Sequence, residues 1–181
     1  RMTELETGVG WSDAPRWVSR PRNLSSALST GLELEAKFRL DQFFDGALPI
    51  NVRSNLSVYR SSVDGIPGPH NRLAQQPRFT ANLGGDYRLK SLPLSLGASL
   101  NYTPLTTLQQ TPEASSRNSR KQVLDAYASW SYDTNTALRL SATNLAPQDF
   151  ANDNYTAAPD KIVGSRNWAR TYTVWNLRLE M

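Results

Sequence analysis

The sequence predicts an all-β protein made of antiparallel, membrane-spanning barrel strands, and three observations predict it. Apolar and polar residues alternate with a period of two over most of the chain, and helical periodicity is nearly absent. Several alternating segments reach about 9 to 11 residues, the length that a tilted strand needs to cross a bilayer. Apart from a short link over residues 21–27, where a loop is expected, short and long connections follow one another in turn, as they do when turns lie on one side of a membrane and loops on the other.

The composition limits the function classes that need to be considered. The chain has 181 residues, enough for one domain or part of one, and 39% of them are hydrophobic. No apolar run approaches the roughly 20 residues of a membrane-spanning helix. The absence of cysteine excludes a disulfide framework and a thiolate metal site. The net charge of +4 could suit nucleic acid, but no nucleic-acid motif accompanies it, so no such partner is predicted.

The clearest strand covers residues 32–41, where every even position is apolar and every odd position is charged. Successive side chains of a strand point to opposite faces, so one face of this segment is apolar and the other is charged. A soluble sandwich rarely places five charges in a row on one face. The pattern therefore favours a barrel wall with lipid on one side and a polar lumen on the other.

Counting the alternating segments gives about nine strands, over residues 2–11, 14–22, 28–41, 48–62, 76–90, 92–105, 120–133, 135–146 and 169–181. Long links rich in Pro, Gly, Ser, Asn and Gln cover residues 62–76, 104–120 and 146–168. Bacterial single-chain barrels have an even number of strands. Because the count is odd, and because the chain starts at Arg1 without a signal peptide, we expect residues 1–181 to be the carboxy-terminal part of a larger barrel.

Aromatic residues lie at or near the ends of the predicted strands, on the apolar face. They are Tyr102, Trp130, Tyr132 and Trp175. Tyrosine and tryptophan concentrate at membrane interfaces, where one part of the ring system is apolar and the other is hydrated. These four side chains are therefore predicted to belong to the aromatic girdles of a barrel.

Four segments, taken in their order and spacing, resemble the end of a TonB-dependent outer-membrane receptor. They begin with Gly31-Leu32-Glu33-Leu34-Glu35-Ala36, followed by residues 77–84 (PRFTANLG), 123–130 (VLDAYASW) and 138–145 (LRLSATNL). The resemblance covers nearly the whole chain. The sequence departs from the family pattern at Pro147 and Gln148, where Asp and Lys are usual, and at Met181, where an aromatic residue is usual.

The resemblance implies a barrel of about 22 strands with a plugged lumen, of which this chain supplies the last part. It implies a bacterial outer-membrane transporter that imports a scarce small-molecule ligand, typically a ferric siderophore. Energy would arrive from TonB through a plug region that lies upstream and is not in this sequence. Outer-membrane lipid and lipopolysaccharide would surround the wall.

No catalytic set is apparent, so the sequence predicts no enzyme, no cofactor and no metal site. The single histidine, His70, has no second histidine or cysteine to form a metal site with. The candidate ligand-binding residues are instead His70 and the cations and tryptophan of the long links, namely Arg72, Arg117, Arg120, Lys121, Arg166 and Trp168. Cations of one sign in a cleft attract an anionic ligand. The alternatives are contacts with lipopolysaccharide phosphates, ion pairs in the lumen, or simple solvation.

Two other interpretations remain open from the sequence. One is a small, self-contained outer-membrane barrel with a structural or adhesive role. The other is a soluble all-β binding domain. Dependence on detergent separates the soluble domain from the two membrane hypotheses, since a barrel wall exposes a tall apolar band.

Overall fold

The structure is a computed structural model, and it describes residues 2–8, 13–20, 23, 26–157 and 160–181. In chain order the strands are β1 (Met2–Glu6), β2 (Arg16–Arg20), β3 (Ala27–Arg39), β4 (Asn51–Val63), β5 (Phe79–Arg88), β6 (Leu94–Thr103), β7 (Thr106–Gln109), β8 (Ala114–Asn118), β9 (Lys121–Ser131), β10 (Ala137–Thr143), β11 (Phe150–Ala157), β12 (Ile162–Ala169) and β13 (Val174–Glu180). Every pairing is antiparallel, which confirms the predicted fold class.

The largest sheet, which we call the wall sheet, has seven strands in the order β13-β10-β9-β6-β5-β4-β3. Each strand pairs with the wall strand that comes next in the chain, so the sheet is an up-and-down meander. Short links join β3 to β4, β5 to β6 and β9 to β10, and long links leave from the other ends. The predicted alternation of short and long links is confirmed for these seven strands.

The register of the wall sheet brings the apolar residues of all seven strands to one face. Leu34 lies opposite Leu56, and Leu83 lies opposite Leu100. Many of these side chains are exposed, and Leu177 reaches 70% exposure. Exposed apolar surface on this scale marks a face that is covered by something other than water.

The aromatic residues predicted to form girdles lie on this sheet or at its rim. Trp130 and Trp175 are exposed by 42% and 63%, and Tyr132, just beyond the end of β9, by 83%. The ring of Tyr102 stacks on Phe79, with the ring centroids 5.9 Å apart. Exposed aromatic side chains at strand ends suit the interface between lipid and water.

The tight turn between β9 and β10 depends on one carboxylate. Asp133 Oδ1 accepts the backbone N–H groups of Asn135 and Thr136, at 2.8 Å and 2.7 Å. These two hydrogen bonds favour the ionised carboxylate and hold the pKa of Asp133 below its ordinary value. The side chain thus satisfies backbone donors that a short turn would otherwise leave free.

Two of the links predicted to be loops contain strands, so that part of the prediction is wrong. Residues 104–120 contain the hairpin β7–β8, and residues 146–168 contain β11 and most of β12. These four strands form a separate sheet, which we call the loop sheet, in the order β12-β11-β8-β7. The pairing of β8 with β11 joins two different long links into one structure.

Several predicted strand limits also need correction. The strands β10 and β13 have seven residues each and are shorter than predicted. The strands predicted over residues 2–11 and 14–22 appear as β1 and β2, with five residues each, in a separate two-stranded sheet. Residues 9–12 and 21–22 lie outside the described residues.

The wall sheet is open and ends at β3 on one side and at β13 on the other. In the part of the chain that the structure describes, no helix is both long enough and apolar enough to cross a membrane.

Candidate functional site

One face of the loop sheet gathers three of the predicted ligand-binding residues, Arg117, Arg166 and Trp168. The register places Asp153 of β11 opposite Arg117 of β8 on one side and opposite Arg166 of β12 on the other. The same face carries Tyr155, which is opposite Gly164, and Trp168, which is opposite Ala151. We call the set Arg117, Asp153, Tyr155, Arg166 and Trp168 the cationic face.

A nearly buried carboxylate organises the cationic face. Asp153 is 8% exposed and accepts two hydrogen bonds from Arg166, from Nε at 2.5 Å and from Nη2 at 2.9 Å. Such a bidentate pair fixes the plane of the guanidinium group. Sequence reasoning missed Asp153, because an aspartate in a link rich in polar residues gives no signal of burial.

The electrostatics of this face leave positive charge in excess. The hydrogen bonds from Arg166 hold the pKa of Asp153 below its ordinary value; burial opposes this effect, and the charges of Arg166 and Arg117 add to it. The same hydrogen bonds raise the pKa of Arg166. Arg117 is exposed and forms no ion pair within the described residues. The cationic face therefore holds two guanidinium groups but only one carboxylate.

Two aromatic side chains flank Arg166 along the strand direction. Trp168 is 57% exposed, and the Cζ atom of Arg170 lies 5.4 Å from the centre of its ring system. Tyr155 is 40% exposed and packs on Gly164, where an added Cβ would lie 3.4 Å from Tyr155 Cδ1. The face thus combines hydrogen-bond donors, positive charge and exposed ring surface, which together suit a planar or anionic ligand.

The structure does not bring His70 and Arg72 to the cationic face. Both lie in the link between β4 and β5, and the backbone oxygen of His70 accepts a hydrogen bond from Gln109 N at 2.8 Å. Arg72 Nη2 donates to the backbone oxygen of Tyr59 at 2.7 Å. Partial burial and the charge of Arg78 lower the pKa of Arg72. Arg72 therefore anchors this link to the end of β4.

The other two predicted cations lie where the loop sheet meets the wall sheet. Arg120 follows β8, and its Nε donates to Gln148 Oε1 at 3.2 Å. Lys121 is exposed, begins β9 and lies opposite Thr103. Neither residue belongs to the loop sheet.

A second polar cluster lies on the polar face of the wall sheet, and its arrangement was not predicted from the sequence. Asp86 Oδ1 accepts a 2.6 Å hydrogen bond from the Tyr127 hydroxyl, and Asp86 Oδ2 accepts one from Arg53 Nη2. The Cζ atom of Arg139 lies 3.8 Å from the centre of the Tyr127 ring. These four residues line a cleft of about 340 Å³. Only the register of four different strands brings them together.

Comparison with known proteins shows to which family the chain belongs. Residues 3–145 match the family described as TonB dependent receptor-like, beta-barrel. The chain belongs to the TonB-dependent receptor family. Neither a curated protein nor a solved structure matches it. The match extends from β1 through β10, and it therefore includes six of the seven wall strands.

Membership of the TonB-dependent receptor family explains why the wall sheet has one apolar face and one polar face. The receptor lies in the bacterial outer membrane, interacts with TonB and transports a small-molecule ligand. In a barrel of this kind the apolar face of the wall sheet is directed outward, and the polar face lines the lumen. Among the described residues, no group of three or more histidine, aspartate or glutamate side chains is placed to hold a metal ion.

Proposed function

We propose that this receptor takes up a ferric siderophore, or a similarly scarce negatively charged chelate, and that the cationic face makes its first contact with the ligand. The observation that carries the proposal is the unequal charge around Asp153. This nearly buried carboxylate pairs with Arg166 and leaves Arg117 without an ion-pair partner in the described part of the chain. The proposal gives the chain no enzymatic role.

We expect the ligand to be captured first by electrostatic attraction and then by stacking on the exposed rings. A surface of one sign raises the local concentration of an oppositely charged ligand and its rate of association. The exposed rings of Tyr155 and Trp168 lie on the same face and offer apolar contact area to an aromatic chelating group. Because both long links contribute strands, the face is fixed before the ligand arrives, which lowers the ordering cost of binding.

Outer-membrane lipid and lipopolysaccharide would cover the apolar face of the wall sheet, and TonB would deliver energy through the plug region. The competing hypothesis is a structural or adhesive barrel, which would import nothing.

The test measures uptake of iron by cells that produce the intact receptor. Radiolabelled ferric complexes of catecholate, hydroxamate and carboxylate siderophores are offered at nanomolar concentration, with and without a functional TonB. We expect TonB-dependent uptake of at least one complex. If no complex is taken up above the level of a receptor deletion, the proposal fails and the structural or adhesive alternative gains support.

Two variants locate the contact. Arg117→Gln removes the unpaired charge and Trp168→Ala removes the exposed ring, so each should weaken binding of the transported complex by about tenfold. Arg120→Gln is the matched control, since it removes an exposed arginine that lies next to the loop sheet but outside it. An equal loss in Arg117→Gln and Arg120→Gln would show that general charge, and not this face, governs capture.

A further inference from the structure

On the polar face of the wall sheet, two arginines of neighbouring strands lie directly opposite each other. Arg139 of β10 is the register partner of Arg178 of β13. Directly opposed side chains of an antiparallel pair have Cβ atoms about 5 Å apart, and like charges at this distance are destabilising. A pair of this kind needs a counter-charge.

Neither guanidinium group is fully neutralised by the residues that the structure describes. Arg139 lies over the ring of Tyr127 and makes no ion pair in the described part of the chain. Arg178 has only a long contact, 3.7 Å from its Nε to Glu180 Oε1, between side chains that are 76% and 41% exposed. Such an exposed pair contributes little, and it leaves both Nη atoms of Arg178 available.

The next register pair adds two neutral hydrogen-bond donors on the same face. Ser141 lies opposite Asn176, and within the described residues neither side chain has a hydrogen-bond partner. The two register pairs thus place four donor side chains next to one another on this face, those of Arg139, Ser141, Asn176 and Arg178. They line a cleft of about 570 Å³, together with Leu177 and Glu180. We call it the β10–β13 cleft.

Two carboxylates, Asp86 and Asp125, line the neighbouring cleft of about 340 Å³, and both already accept hydrogen bonds. Asp86 accepts hydrogen bonds from Arg53 and Tyr127. Asp125 Oδ1 accepts the backbone N–H of Asn144 at 2.8 Å. Within the described residues neither carboxylate forms an ion pair with Arg139 or Arg178, and the single carboxylate of the cleft, Glu180, faces two guanidinium groups, so positive charge is in excess there.

We propose that the β10–β13 cleft binds a compact oxyanion, a phosphate or carboxylate group. The forked guanidinium donors match the spacing of two oxygens on such a group. The serine hydroxyl and the asparagine amide would donate to the remaining lone pairs of a carboxylate, or to a third oxygen of a phosphate. The oxyanion belongs either to a solute in the lumen or to an acidic side chain of polypeptide that fills it. The proposal is independent of the cationic face and of iron uptake.

The first experiment titrates the intact receptor in a phosphate-free, uncharged detergent with inorganic phosphate at neutral pH and low salt, by calorimetry. We expect Arg139→Gln and Arg178→Gln to weaken phosphate binding by about tenfold each, because each removes a charged donor. Asn176→Ala should weaken it less. Arg88→Gln is the matched control: Arg88 ends β5 on the same face and carries the same charge, but it does not line the cleft. Equal weakening by Arg88→Gln would overturn the site.

The second experiment distinguishes the two sources of the oxyanion by the sign of a stability change. If polypeptide carboxylate fills the cleft, phosphate does not bind the wild type, and Arg178→Gln lowers the melting temperature whereas Arg88→Gln does not. If nothing fills the cleft, Arg178→Gln relieves repulsion and raises the melting temperature or leaves it unchanged. That last result, together with no phosphate binding, overturns the proposal.

Discussion

Gly97 shows how a single residue without a side chain can determine a polar cluster. It lies opposite Tyr127, whose ring covers the space that a Cβ atom would need. A Cβ at Gly97 would lie 2.2 Å from Tyr127 Cε1 and 2.6 Å from Asp86 Oδ1. The same arrangement recurs where Gly31 meets Tyr59. An aromatic ring laid over a cross-strand glycine compensates for the missing side chain and fixes the register.

We predict that Gly97→Ala lowers the stability of the receptor. The new methyl group must displace the Tyr127 ring and break its hydrogen bond with Asp86, at a cost of about 1–3 kcal/mol, as is usual for overpacking. The measurement is urea unfolding in detergent. Gly84→Ala is the control, because its nearest neighbouring atoms would lie 3.6 Å away, in ordinary contact. Combining Gly97→Ala with Tyr127→Ser should recover part of the loss. A destabilisation of equal size in Gly84→Ala would contradict the explanation.

Asp153 makes the loop sheet sensitive to acid. Its folded-state pKa lies below the ordinary aspartate value of 3.8, chiefly because of the hydrogen bonds from Arg166. A depressed pKa contributes stability that is present above the unfolded value and is lost as pH falls through the folded value. We therefore expect amide exchange in β11 and β12, corrected for intrinsic rates, to rise only below about pH 4. Asp153→Asn should remove this pH dependence. A wild-type transition near neutral pH would contradict the assignment to this carboxylate.

Among the elements, the loop sheet differs most from what the sequence predicts. The seven wall strands were predicted because each has one apolar and one polar face. The strands β7 and β8 (TTLQ and ASSRN) offer no such contrast, and β11 (FANDNYTA) contains two asparagines, which are depleted in strands. Their formation depends on pairing between two links, which is a tertiary effect that local sequence does not encode.

Site residues could be found from sequence only where the chemistry of a single side chain was conspicuous. Arg117, Arg166 and Trp168 were predicted because exposed cations and an aromatic residue in a link are chemically conspicuous. Their neighbour Asp153 was missed because its role depends on register. Arg139 and Arg178 lie 39 positions apart, and only the pairing of β10 with β13 reveals that they face each other.

Asparagine side chains hold the two long links together at the centre of the loop sheet. Asn152 Nδ2 donates to Asn118 Oδ1 at 2.6 Å, across the pairing of β8 with β11. We predict that Asn118→Ala raises amide exchange in β8 and β11 by about fivefold, as expected for the loss of one hydrogen bond. Asn167→Ala is the control, since Asn167 lies opposite Asn152 on β12 and has no side-chain hydrogen bond among the described residues. Unchanged exchange in Asn118→Ala would show that backbone pairing alone holds the links together.

At the scale of the whole molecule, the wall sheet separates two environments. Adjacent residues of one strand lie on opposite faces. In β5, Leu83 lies on the apolar face and Asn82 on the polar face, and both side chains are exposed. We predict that Leu83→Lys costs about 2–4 kcal/mol near the membrane midplane and reduces the amount of folded receptor in the outer membrane. Asn82→Lys should be tolerated, because its side chain enters the lumen. The measurement is heat-modifiable migration of membrane fractions on gels. Equal loss in both variants would contradict the assignment of the two faces.

Outer-membrane barrels carry their longer loops on the extracellular side, so the pairing of β8 with β11 shapes the surface that the receptor presents outside the cell. An antibody or a phage that binds this surface would contact residues from two stretches of chain that are separated by two wall strands. A synthetic peptide of residues 106–118, or one of residues 150–169, would reproduce only half of that epitope. Immunisation with either peptide should therefore yield sera that bind the denatured chain far better than living cells.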